Sequence, residues 1–261
     1  MAIYKRKMAR KVSRKPRRVP PKNSFNKRVL AVIKKQTEDK MAYTSNSGVT
    51  LFNSGINSNA DCQRIVPNIS NGNTDYQRVG DQLRVQSFRL KGYLEMAVDP
   101  SISGSSASNR RLGVRMMVVS PKSFHNVAHA ESNSAFWLPS LLKKGGTTVG
   151  FTGAVSDLFA EINTDIVTVH YNKVSVMTQP VISGTLQGML GISKTVKFFN
   201  INIKCKNKLL KYDANIDSAL TPVNFSPILL IGYCLLDGTS PDTLSTRVGC
   251  MYETAFKYED A

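Results

Sequence analysis

Between residues 85 and 98, apolar and polar side chains alternate. Phe88, Leu90, Leu94, Met96 and Val98 share one parity, and Arg89, Lys91, Tyr93 and Glu95 the other. A period of two predicts a β-strand with one buried face. Leu83 and Val85 occupy the opposite parity, so a bend or β-bulge is predicted near Gln86 and Ser87. Residues 111–119 repeat the alternation with Leu112, Val114, Met116 and Val118 inward, following a Ser/Gly-rich stretch, 99–109, that reads as a hairpin connection. Further β-branched or aromatic runs at 166–177, 195–205, 228–236 and 247–257 are bounded by Pro, Gly, Asn or Asp. Residues 62–66 add a short strand, and the glycines of 147–159 leave strand or loop open there.

Helical periodicity is scarce. Phe25, Val29, Val32 and Ile33 fall on one helical face, with Lys27, Arg28, Lys34 and Lys35 largely elsewhere, which predicts a short helix or an added edge segment. Residues 136–144 predict a helical turn within a loop, and 41–59, rich in Ser, Asn and Gly, read as a connector to a body starting near Ala60. Seven or eight strands with long connections predict an all-β fold, a single eight-stranded antiparallel jelly-roll sandwich. No internal repeat of about 20 to 50 residues suggests a solenoid or propeller.

Charge changes this picture at one end only. Residues 1–28 hold twelve cations, Lys5, Arg6, Lys7, Arg10, Lys11, Arg14, Lys15, Arg17, Arg18, Lys22, Lys27 and Arg28, and no acid. The chain has 35 basic residues in all, so the remainder keeps 23 basic against 18 acidic and is nearly neutral. The net charge of +17 therefore resides mostly in a tail, the pattern of a polyelectrolyte arm that holds a polyanion beside a folded body. Its Lys-Arg-Pro composition predicts disorder when unbound. Nucleic acid is the leading partner; neutralising about twelve phosphates gives a log-log salt slope of about −8 on single strands. With only Tyr4 and Phe25 as aromatics, the arm is expected to grip backbone rather than read bases. The runs Lys5, Arg6, Lys7 and Arg14, Lys15, Arg17, Arg18 also suit nuclear localisation through an import receptor. A plain solubility tail and a mitochondrial transit peptide are weaker readings, the latter because Pro16, Pro20 and Pro21 break its helix. The continuing charge likewise argues against a signal peptide.

The rest of the sequence excludes more than it nominates. An apolar content of 41% suffices for a core, while the longest apolar run, 228–236, is far shorter than the roughly 20 residues of a transmembrane helix. Cys62, Cys205, Cys234 and Cys250 include no C-x-x-C pair and read as reduced structural thiols. His125 and His129, with Glu131 near, could share a metal on a helix, but Ser120 and Pro121 precede them without an H-E-x-x-H motif; they read as loop or interface histidines. Gly184, Gly188 and Gly191 match no nucleotide fingerprint and read as turn residues. No nucleophile or acid/base pair is nominated, so neither enzyme activity, metal nor cofactor is expected.

The segment from Asn71 to Leu83, NGNTDYQRVGDQL, reads locally as a turn with Gly80 at positive φ. It also resembles the N-G…D-x-Q-R-x-G-D/N-x-I/L segment preceding a long strand in capsid proteins of circovirus-like, circular Rep-encoding single-stranded DNA viruses. Asp165 to Lys173, DIVTVHYNK, is similar to that group's strand ending in a Tyr-Asp-Lys-like turn, with Asn172 where an acid is common. Lys194 to Tyr212, Thr221 with Pro222, and Pro227 to Leu236 resemble its penultimate strand, basic linker and apolar strand. Phe124 to Phe151 has no counterpart in the resemblance.

The resemblance implies residues 1–45 as the nucleic-acid-binding arm with its connector and 46–261 as a jelly-roll shell domain. It implies self-assembly into a small icosahedral shell of about 60 copies, a packaged single-stranded DNA genome, a virion location with a nuclear stage, and outer loops including 99–109 that meet an unidentified host receptor. Two rivals follow from the residues alone. A cellular RNA-binding or ribosomal-type protein explains the tail but not the near-neutral body. A carbohydrate-binding sandwich would want exposed Trp platforms, and Trp137 is the sole Trp.

Overall fold

The computed structural model describes residues 28–29, 32, 39–46, 48–98, 111–178, 195–205, 208–213, 220–236, 238 and 246–260. They belong to two compact units, Met1–Glu38 and Asp39–Ala261. Of the first, Arg28, Val29 and Val32 are helical and exposed, in line with the periodicity there. The predicted hairpin connection 99–109 and the turn glycines Gly184, Gly188 and Gly191 lie outside the described residues.

The second unit is built from β1 (Asp39–Ser45), β2 (Thr50–Phe52), β3 (Gln63–Arg64), β4 (Gln82–Val98), β5 (Arg111–Pro121), β6 (Leu142–Lys144), β7 (Thr147–Val149), β8 (Glu161–Ile162), β9 (Val167–Thr178), β10 (Val196–Ile203), β11 (Leu209–Lys211), β12 (Ile228–Leu235) and β13 (Thr246–Asp260). One sheet runs β1-β13-β4-β10, with β2 continuing β1 along β13 and β11 continuing β10 along β4. The other runs β3-β12-β5-β9, and every pairing in both is antiparallel. When β1 is joined with β2 and β10 with β11, the chain-order positions read 1-8-3-6 in one sheet and 2-7-4-5 in the other. This alternation of sheets is jelly-roll wiring. Of the thirteen strand segments among the described residues, ten build these two sheets and β6, β7 and β8 form a small separate one.

The side-chain pattern explains the layers. In β4, Leu83 and Val85 are buried before Gln86, and Phe88, Leu90 and Leu94 after it. The ladder pairs Ser87 with Lys257 but Val85 with Tyr258, so Gln86 is the bulged residue that reverses the parity. These residues meet Leu112, Val114, Met116 and Val118 of β5 and Leu229, Ile231 and Tyr233 of β12 in the core between the sheets. Each such aliphatic side chain contributes about 1.5–3 kcal/mol relative to exposure.

The reading of β5 as half-wet is corrected. Met117 and Val119, on its other parity, are fully buried beside Leu230 and Cys234 of β12 in a second core. Residues 122–166 form the cover. They comprise two short helices, α1 (Val127–Ser132) and α2 (Ser134–Trp137), 3-10 turns at Leu138–Ser140 and Val155–Leu158, and the small sheet β7-β6-β8. Trp137, Leu138, Leu141, Phe151 and Leu158 press onto the sheet. Arg115, buried within β5, fixes the cover by donating to the carbonyls of Asp157 and Ala160 at 2.5 and 2.8 Å. The helical turn expected at 136–144 spans α2 and the following 3-10 turn, then gives way to β6.

The 41–59 connector is also corrected. Asp39–Ser45 pairs residue for residue with Glu259–Glu253, and Thr50–Phe52 with Cys250–Val248, so the compact unit begins at Asp39, ahead of the compositional boundary. Polar composition concealed the strand because β1 is an edge element with Asp39, Met41, Tyr43 and Ser45 outward.

Candidate nucleic-acid interface and sheet surfaces

Of the twelve candidate cations, Arg28 is described, exposed and helical. Lys5, Arg6, Lys7, Arg10, Lys11, Arg14, Lys15, Arg17, Arg18, Lys22 and Lys27, including every nuclear-localisation candidate, lie outside the described residues. The second compact unit starts at Asp39, the first residue of β1.

That start is fastened by the turn from Asn71 to Leu83. Gly80 has a φ of 93°, accessible to glycine without a Cβ clash. The preceding Arg78 is turned inward, 1% exposed, with its guanidinium carbon 4.4 Å from the centre of the Tyr212 ring and a terminal nitrogen 3.2 Å from Asp81 Oδ1. Lys40 Nζ, also buried, reaches Asp260 Oδ2 at 2.7 Å and the Gln77 carbonyl at 3.0 Å. Val79 N–H donates to Asp260 Oδ1 at 3.2 Å. The turn therefore binds the start of β1, the start of β4 and the end of β13 together. Burial pushes the Tyr212 phenol up, and that of Tyr258 up to about 12; neither hydroxyl has a hydrogen-bond partner among the described residues.

The sheet containing β4 has an outer face that the second core does not cover. Register places Tyr93 between Phe198 and Met251, Lys91 between Asn200 and Glu253, and Arg89 between Asn202 and Ala255. Farther along, Arg84 pairs with Leu209 and Gln82 with Lys211. Phe198 is 79% exposed, and its ring lies 6.0 Å from that of Tyr93. Arg84, Arg89, Lys91, Lys211, Asn200 and Asn202 are exposed. Arg89 Nε donates to Asn202 Oδ1 at 3.2 Å. Among the described residues no ion pair engages Arg84, Arg89, Lys91 or Lys211. The period-two pattern assigned Arg89, Lys91 and Tyr93 to a wet face, but Phe198 was missed. Its exposure depends on register with β4, which strand periodicity alone does not give.

The other candidates take structural places. His129 lies in α1, whereas His125 precedes the Asn126 cap, whose side chain accepts from Ala128 N–H at 2.8 Å. Glu131 pairs with Arg64, and no three-ligand metal cluster occurs among the described residues. All four cysteines are free thiols; burial pushes those of Cys62 and Cys250 up to about 12. Trp137 is buried, donating its indole N–H to the Ala130 carbonyl at 2.8 Å, so it offers no sugar platform. No helix among the described residues is long and apolar enough to cross a membrane.

No family model and no curated protein matches this chain. Among solved structures it overlaps a chain of the Desmodium yellow mottle tymovirus at 9% identity and a TM-score of 0.27, covering 100% of this chain and 95% of that one. A chain of the Israel acute paralysis virus pentamer overlaps at 12% identity and a TM-score of 0.26, covering 99% and 81%. Overlaps at this level carry no argument, and the fold assignment rests on the strand wiring.

Proposed function

We propose that this chain is a capsid protein of a circovirus-like single-stranded DNA virus, self-assembling into a small icosahedral shell of about 60 copies. The observation that carries the reading is the joining of an acid-free arm of twelve cations to a nearly neutral body wired as a jelly roll. Jelly rolls also serve lectins and cupins, so the wiring alone names no function. The arm supports the choice, together with the resemblance along Asn71–Leu83, Asp165–Lys173, Lys194–Tyr212, Thr221 with Pro222, and Pro227–Leu236.

In this mechanism the arms neutralise packaged DNA and remove the phosphate repulsion that opposes its confinement, so genome condensation and shell closure favour one another. The nuclear stage, entered through the arm's basic runs and an import receptor, belongs to the same proposal. It assigns the chain no catalysis.

The reading predicts that deleting residues 1–35 abolishes nucleic-acid packaging while the body still unfolds cooperatively. Particle-associated nucleic acid and a denaturant melt measure the two effects. Packaging retained by the truncated chain contradicts the arm's role; loss of cooperative unfolding makes the arm part of the core.

A further inference from the structure

A polyelectrolyte arm with two aromatics grips phosphates but leaves bases without a stacking partner. The outer face of β4, β10 and β11 has what the arm lacks. Phe198 and Tyr93 form an exposed ring pair at one end. Lys91 with Asn200 and Arg89 with Asn202 follow in successive cross-strand rows, and Arg84 and Lys211 lie beyond the Gln86 bulge. Rows recur about every 6.8 Å along a strand, so the strip extends for about 30 Å. Between Lys211 and Tyr93 it contains no acid; Glu95 lies past the aromatic end, and Glu253 and Glu259 border it on the β13 side.

From this arrangement we infer that the strip is a second nucleic-acid site, taking single-stranded DNA with a base stacked on Phe198 and Tyr93 and phosphates along Lys91, Arg89 and Arg84. Three features select this occupant. Four cations with no ion-pair partner among the described residues complement a polyanion. The ring pair offers a π face to any base without requiring sequence. Asn200 and Asn202 supply hydrogen-bonding amides between the two. The inference deepens the packaging reading and relies on it for the identity of the polyanion.

The test uses the full-length protein as freshly dissociated subunits. Two labelled probes of equal phosphate number are titrated, an oligothymidylate 15-mer and a 15-mer with an abasic backbone. The wild type is expected to favour the thymidylate by roughly tenfold, the scale of one stacking contact. Phe198→Leu, which retains an aliphatic side chain, should bring that ratio close to one and leave the abasic affinity unchanged. Arg89→Gln with Lys91→Gln should lower the log-log salt slope by about 1.4 on both probes. An unchanged thymidylate preference in Phe198→Leu overturns the inference. If that variant also fails to form particles, the face belongs to a neighbouring copy instead. Wild-type shells containing nucleic acid, with no base preference, sink the strip and leave the capsid reading intact. Loss of preference in a protein that forms no shell does the reverse.

Discussion

His170 shows how one residue can make the body sensitive to pH. The ladder passes from Val118 opposite Tyr171 to Val119 opposite Val169, so His170 is the bulged residue of β9. Its Nε2 lies 2.8 Å from Ser120 Oγ, and its ring meets Phe225 edge-on at 6.2 Å. Lys122, His125 and Lys208 line the same small cavity, with the Lys208 ammonium 4.7 Å above the Phe225 ring. Burial first, and then the charge of Lys208, hold the His170 pKa below its ordinary 6.5. The unfolded imidazole takes its proton near pH 6.5, the folded one only at lower pH. Between these values the unfolded state binds more protons, so the stability is full above pH 6.5 and declines as pH falls through the window. Denaturant melts at about pH 7.5 and about pH 5.5 should therefore show a larger loss for the wild type than for His170→Gln. Equal losses would mean that His170 is not held neutral by the fold.

At the scale of elements, much was legible because burial on one face leaves a period of two. The parity reversal in β4 points to a bend or bulge near Gln86 and Ser87, since Leu83 and Val85 join Phe88 inside when one residue is extra, and the ladder makes that residue Gln86. The cover over β5 and β12 was not legible. A strand buried on both faces loses its alternation, and Arg115 disguised a buried position as a wet one. The region 124–151, without counterpart in the resemblance, falls inside this cover. Gly232 tests the arrangement, because a Cβ there would lie 2.5 Å from Phe151 Cε1 and 2.7 Å from its Cδ1. Gly232→Ala should cost about 1–3 kcal/mol through overpacking, and adding Phe151→Leu should recover part of it. A neutral Gly232→Ala in a melt would place Phe151 elsewhere.

For the whole molecule, an arm recognisable by its charge is joined to a fold recognisable by its periodicity. Neither identifies a capsid alone: a basic tail suits many polyanion binders, and jelly-roll wiring suits lectins as well. Of the candidate site, the arm's chemistry was plain in the sequence because charge needs no partner to be recognised. The strip on β4 and β10 was hidden because it exists only when Tyr93 and Phe198 fall in register. Their separation in sequence gives no local pattern. Sedimentation of the purified full-length protein, with absorbance followed at about 260 and 280 nm, decides whether the chain forms a shell around nucleic acid. A capsid protein gives a uniform megadalton particle rich in 260 nm absorbance. A monomer or small oligomer that persists after single-stranded DNA is added at low salt would contradict the capsid reading and favour a cellular nucleic-acid-binding protein.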